Sequence, residues 1–345
     1  MSTTPAIHQA PIRIFTWHVH GSYLYYLSQA NVRIYIPVND TRSDGYIGRG
    51  TTFPFGPNVV EIPVASVKQL EFDCILFQCS RNYLIDQYEI LSPTQQTLPR
   101  VYLEHDPPQV TPTDTRHFVN DPAVTLVHVT HFNNLMWDNN RTPSRVIEHG
   151  IITPPLAYEG TRERGIVVIN NLSQRGRRLG LDIFQEVRKH VPIDLIGMES
   201  QELNGLGEIL HPGLPEFIRH YRFFFNPIRY TSLGLAVLEA MMLGVPVVGL
   251  ATTEMVTVIK DGQSGFLDTD VESLIDKMKL LLGDKSLARK LGAEGQRVAQ
   301  QRFNIERFTH DWYELLASLV QANRPDTTEQ KLHLTTPDLH TAYHA

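Results

Sequence analysis

Short apolar runs, each closed by Gly, Pro, Asn or Asp, recur along the whole chain. In the first half they predict strands over Ile12–Val19, Val32–Val38, Val59–Val64, Cys74–Cys79, Val101–His105, Thr125–Thr130 and Val146–Ile151. Several are almost continuously apolar, as strands covered on both faces of a parallel sheet should be. The helices between them are weakly marked. The segments Asn39–Asn58 and Asp106–Pro122, rich in Gly, Pro, Thr and Asp, predict long loops. Ile152–Gly165, with Pro154 and Pro155, predicts a linker. A second series follows, with strands over Ile166–Asn170, Ile193–Gly197, Phe223–Pro227 and Val245–Leu250. Its helices are clear. Val271, Leu274, Ile275, Met278, Leu281 and Leu282 keep helical spacing behind Asp270 as N-cap, and two more helices are expected over Ser286–Gln301 and Ile305–Gln321.

Strands alternating with helices predict an α/β fold of open parallel sheets with helices on both faces. The expected division is a first domain over residues 1–155, a second over 156–322 and a polar, flexible tail over 323–345. Two such domains leave a cleft between them, and ligands bind at the carboxyl ends of the strands.

The 345 residues suit two domains, and 42% hydrophobic with 20% charged residues is the balance of a soluble globular protein. A net charge of −6 argues against a nucleic-acid partner. Cys74 and Cys79 share one apolar run and offer no zinc spacing, which fits a reduced, cytoplasmic setting. The start MSTTPAIHQAPIRIF lacks the pattern of a signal peptide, and no run nears the roughly 20 apolar residues of a membrane span. Without a basic amphipathic helix, contact with the inner face of a membrane is expected to be peripheral at most.

The chemistry concentrates after Phe223. There RFFFNPI leads into RYTSLGLAVLEAMMLGVPVVGL. Ser232 is placed to cap a helix over Leu233–Leu243, with Gly244 at C′ and Pro246 beyond it. The first N–H groups of that helix, around Ser232, Leu233, Gly234 and Leu235, would face the cleft. A helix N-terminus carries unpaired donors and partial positive charge, which suits a diphosphate. Gly234 lets a phosphate approach the backbone. Glu239 lies seven residues after Ser232, on the same side, and is suited to accept from both hydroxyls of a ribose. The plainer alternative is an amphipathic helix packed on a sheet, with Glu239 solvated.

SLGLAVLEAMMLGVPVV followed by VIKDGQSGFL resembles the donor-binding core of the retaining glycosyltransferases of family 4, bacterial nucleotide-sugar-dependent enzymes of the GT-B fold. Glu239, Gly244, Pro246, Asp261, Gly262 and Gly265 match the family's spacing. The resemblance implies two Rossmann-like domains facing each other across a cleft, with the last helix crossing back to the first domain. It implies transfer from a UDP- or GDP-linked sugar to a carbohydrate, glycolipid or other hydroxyl acceptor, in glycan or polysaccharide synthesis, with no cofactor and no metal. The family's first glutamate, beside the donor sugar, falls on Thr231, which offers a hydroxyl but no charge.

Cations that offset charge on a leaving diphosphate are expected in NNLSQRGRRLGLDIF, at Arg178, then Arg175, with Arg177 beside them. Asp268-Thr269-Asp270 reads as strand end plus helix cap rather than a metal site. In the first domain, the loop of His18, His20 and Gly21 resembles the family's short donor or acceptor loop. His105 after its strand matches the family's histidine near the donor sugar, able to bond a hydroxyl or share a proton. His128, His131 and His149 read as packed or hydrogen-bonded structural residues, and Tyr23, Tyr25 and Tyr26 as core. Rival readings are a sugar-nucleotide epimerase of related fold and a non-catalytic nucleotide-sugar-binding protein. A nicotinamide-dependent dehydrogenase is disfavoured because no Gly-x-Gly-x-x-Gly follows the first strand.

Overall fold

The computed structural model describes residues 10–323. The tail expected over 323–345 therefore lies outside the described residues, Asn323 apart. Seven parallel strands form the first sheet: β1 (Ile12–Thr16), β2 (Val32–Val38), β3 (Val59–Pro63), β4 (Cys74–Phe77), β5 (Arg100–Glu104), β6 (Val124–His128) and β7 (Ser144–Val146). Their order is β3-β2-β1-β4-β5-β6-β7. Five more form the second: β8 (Arg162–Val168), β9 (Ile193–Ile196), β10 (Tyr221–Asn226), β11 (Val247–Leu250) and β12 (Phe266–Asp268), in the order β12-β11-β10-β8-β9. Every residue of β4, β6, β10 and β11 is buried; β4 and β11 are wholly apolar, while β6 and β10 carry Thr125, His128, Arg222 and Asn226 inside as well. The direction of winding reverses at β1 in one sheet and at β8 in the other, and those two strand ends flank the cleft.

Three expectations shift. The strand expected over Val146–Ile151 is β7, which ends at Val146. The chain then leaves the sheet and packs on the last helix, where Gly150 lies under Phe308 so closely that a Cβ there would come 2.1 Å from the Phe308 Cβ. The linker ends earlier than expected, since exposed Arg162, Glu163 and Arg164 already belong to β8. The short strand β12 had no apolar run long enough to announce it. The last helix, Ile305–Ala322, lies against helix Gly21–Leu27 of the first domain. The buried Trp312 indole donates to the Tyr23 hydroxyl at 3.0 Å. Among the described residues no helix is long and apolar enough to cross a membrane.

Helix Leu235–Met242 ends as its sequence predicts. Gly244 takes φ +78°, a conformation that L side chains rarely adopt. Helix Lys285–Arg302 crosses there, with Gly292 so near that a Cβ would fall 1.9 Å from the Gly244 carbonyl oxygen. Backbone cannot yield as a flexible side chain does. Gly292→Ala is therefore expected to destabilise the protein by about 1–3 kcal/mol, read as a lower denaturant midpoint. An unchanged midpoint would show that the two helices are free to separate.

Candidate functional site

After β10 the chain bends over residues 229–232 and passes through Leu233 and Gly234 before helix Leu235–Met242 begins. The cap is Gly234, with φ −72° and ψ 137° and no side-chain bond, so the assignment of Ser232 as cap is corrected. The reason lies in the first domain. His149 Nε2 donates to the Leu233 carbonyl at 3.0 Å and holds that residue outside the helix. The Ser232 hydroxyl is buried without a partner. The first turn of the helix opens on a cavity lined by His20, His105, Asp106, Arg175, Thr231 and Gly234. No atom lies within 4 Å of where a Gly234 Cβ would stand. Unpaired N–H groups and open space thus coincide at this helix end.

A second cavity shares Ser22 and Leu235 with the first and continues along the second domain past Asn170, Gly197 and Glu208. Ala236 and Glu239, three residues apart on one helix face, line it. Glu239 is not simply solvated. Its Oε1 accepts from the Tyr26 hydroxyl at 2.8 Å and lies 3.3 Å from His211 Nε2, while Oε2 has no hydrogen-bond partner among the described residues. Tyr26 thus does more than fill the core. It anchors the carboxylate across the cleft. Ser22 and Asn170 stand at the edges of the two loops read from sequence, where the histidines and arginines drew the assignment, and Glu208 and His211 are single polar residues with no motif around them.

The three arginines separate. Arg175 lines the first cavity. Its pKa is lowered by desolvation and by the charge of Arg178, with Asp106 opposing. Arg178 Nη1 is buried and lacks an acceptor, while its carbonyl accepts the Arg229 N–H at 3.1 Å, which holds it beside the segment leading to Thr231. Arg177 does not belong with them. It pairs with Asp182, which also binds Arg229, and it is not part of the cavity wall.

The histidines separate too. His18 is buried, with Nδ1 2.6 Å from the Gly48 carbonyl oxygen and its ring against Phe53 and Phe55. It props the loop instead of facing the cavity. Gly21 opens helix Gly21–Leu27, and a Cβ there would meet Phe53 at 2.2 Å, so its smallness serves packing. Neither lines the cavity, whereas His20 does, with its ring centroid 3.9 Å from that of His105. His105 Nε2 is buried without a partner. Burial, then the nearby His20 and His149, hold its pKa well below the usual value. It is a neutral hydrogen-bonding group near pH 7. His149 was read as structural, and the cavity wall includes it as well. His128 is buried against Asn139, as a structural reading requires, but His131 is exposed. Asp270 caps helix Val271–Gly283, and Asp268 is held by Ser273 and Lys277, in keeping with a strand end and cap.

Known proteins share this architecture. Sucrose-phosphate synthase from Thermosynechococcus elongatus superposes with a TM-score of 0.68 at 14% identity, covering 91% of this chain and 100% of that one. HepE from Anabaena, solved in complex with UDP and glucose, superposes with a TM-score of 0.65 at 14% identity, covering 90% and 100%. The fold is therefore the GT-B arrangement of two Rossmann-like α/β domains across a cleft. Residues 164–284 match the family model of Glycosyl transferases group 1. A trehalose synthase from Pyrococcus horikoshii is 29% identical over 143 residues, 41% of this chain and 31% of that protein. One from Thermococcus litoralis is 36% identical over 87 residues, 25% of this chain and 21% of that protein. The chain thus spans less than a third of the length of these curated relatives. The group 1 match holds Arg175, Arg178, Thr231, Gly234 and Glu239, while His105 and Asp106 lie outside it.

Proposed function

We propose that the protein transfers a hexosyl group from a UDP- or GDP-linked sugar to a hydroxyl of a carbohydrate or glycolipid acceptor, with retention at the anomeric carbon and without a metal. The observation that carries this reading is the helix end at Gly234, open onto a cavity walled by Arg175 and His105. The group 1 match over the second domain supports it. In this reading residues 156–322 hold the nucleotide and residues 1–155 the acceptor. Glu239 Oε2 takes the ribose hydroxyls. The helix end, Arg175 and Arg178 take the diphosphate. The bond from the anomeric carbon to the leaving phosphate oxygen breaks, the acceptor oxygen bonds the same face, and its proton passes to the departing phosphate. Positive charge fixed in advance lowers that barrier, and closure of the domains keeps water from the donor. His105, neutral and unpartnered, bonds a hydroxyl of the donor sugar.

Released nucleotide, measured over a panel of UDP- and GDP-sugars with carbohydrate acceptors, tests the proposal, and proton NMR of the product reads its anomeric configuration. Binding without turnover for every donor would favour the non-catalytic reading, for which Thr231 in place of a glutamate is the specific argument. Glu239→Ala is expected to weaken UDP binding about tenfold or more, the worth of a hydrogen bond to a charged group. Unchanged UDP affinity by calorimetry would remove the ribose contact.

A further inference from the structure

The second domain carries Thr231 where the resemblance places a carboxylate, yet the cavity does not lack one. Asp106, at the end of β5 in the first domain, lines the same cavity, and the Thr231 hydroxyl donates to its Oδ1 at 3.2 Å. Asp106 is held firmly. Its N–H donates to Glu104 Oε1 at 3.0 Å, its carbonyl accepts the Trp137 indole N–H at 2.8 Å, and Pro107 stiffens the chain after it. Thr231 is the one hydrogen-bond partner of its carboxylate among the described residues. The unpartnered Nε2 of His105 and the charge of Arg175 lie around the same cavity.

We propose that Asp106 supplies the carboxylate that grips the donor sugar, in place of the glutamate absent at position 231. The inference rests on the reading of the site as one for a nucleotide-sugar. The negative charge is kept, but the domain that bears it changes. A carboxylate and a neutral imidazole on adjacent residues, Asp106 and His105, then offer an acceptor and a second polar partner to the hydroxyls of one hexose. Because both belong to the first domain while the diphosphate site belongs to the second, the sugar is gripped only when the domains are together. Thr231 acts as a positioning residue: its hydroxyl aims one carboxylate oxygen and leaves the other to the sugar.

The test exchanges the charge between the two positions, with UDP-glucose and UDP as probes. Asp106→Asn is expected to weaken UDP-glucose binding and to lower UDP release from it, each about 10- to 100-fold, while leaving UDP affinity within about threefold. Thr231→Glu alone crowds two carboxylates and is expected to lower turnover too. The double variant, Asp106→Asn with Thr231→Glu, restores the charge from the other domain and is expected to recover at least about tenfold over Asp106→Asn. A general packing defect would show no such recovery. Asp106→Asn with wild-type UDP-glucose affinity, or a double variant no better than the single, overturns the assignment. Wild-type protein that binds UDP-glucose but never releases UDP overturns transfer instead, and the difference between UDP-glucose and UDP affinities still decides Asp106.

Discussion

Arg178→Ala is expected to lower kcat/KM for a nucleotide-sugar about 100- to 1000-fold, the range seen when one preorganised group is withdrawn from developing charge. It is also expected to leave the fold as stable as before, or more stable. Arg178 Nη1 is buried with no acceptor, and its charge bears on Arg175. A guanidinium so placed is a standing cost of folding, roughly 1–3 kcal/mol for the unmet donor. On the proposed reading, an arriving diphosphate would meet that donor and relieve the repulsion between the two arginines. Removing Arg178 therefore removes strain from the free protein and function from the complex, the trade expected of a binding group. Arg175→Ala should lower activity similarly. Arg177→Ala should change little, because Arg177 is engaged with Asp182 on the surface. Initial rates with UDP-sugars and thermal melts of the three variants check this. Loss of stability with no loss of rate in Arg178→Ala would recast that arginine as structural.

The contrast among those arginines shows where sequence reasoning stops. The succession of most strands along the chain, the C′ glycine at Gly244 and the place of Glu239 on its helix follow from local rules, in which period, caps and punctuation act within a few residues. They were legible. What was not legible is set by contacts far apart in the chain. Ser232 has every property of an N-cap, and it loses that place to Gly234 because His149, 84 residues away, ties down the Leu233 carbonyl. His18 and His20 look alike in WHVHGS. Only the aromatic wall of Phe53 and Phe55 turns one inward and leaves the other beside His105. Asp106 carried no motif. Its meaning comes from Thr231, 125 residues on, and only the folded cleft puts the two together. Local pattern specifies elements and their ends, while the site is assembled from side chains at the rims of two sheets.

Acid should weaken this fold through its buried histidines, and the effect should be large. Burial is the leading cause that pulls His128 and His149 down to about 4, partly offset by the Asn139 side chain and the Leu233 carbonyl respectively. His105 is depressed as well, by burial and then by its histidine neighbours. These are bases whose folded pKa lies below the unfolded value near 6.5. Between those two values the unfolded chain takes up protons that the folded one refuses, so stability is whole above pH 6.5 and falls as pH drops through the window. For His128 and His149 the loss is about 2 kcal/mol each at pH 5 and about 3 kcal/mol each at pH 4, a sizeable share of the roughly 5–15 kcal/mol that holds a domain. Urea titrations from pH 7.5 to 4.5 should show the midpoint falling steadily below pH 6.5. His149→Gln keeps a donor for the Leu233 carbonyl but removes the titration, so its stability should fall less steeply with acid than that of the parent. The same variant reports on function. If His149 holds the approach to Gly234 through that one bond, nucleotide affinity at pH 7.5 should survive the change to Gln and fail in His149→Leu. A midpoint level from pH 7 to 5 would mean that these rings are protonated in the folded state, and His105 would then have to be counted as a cation facing the donor.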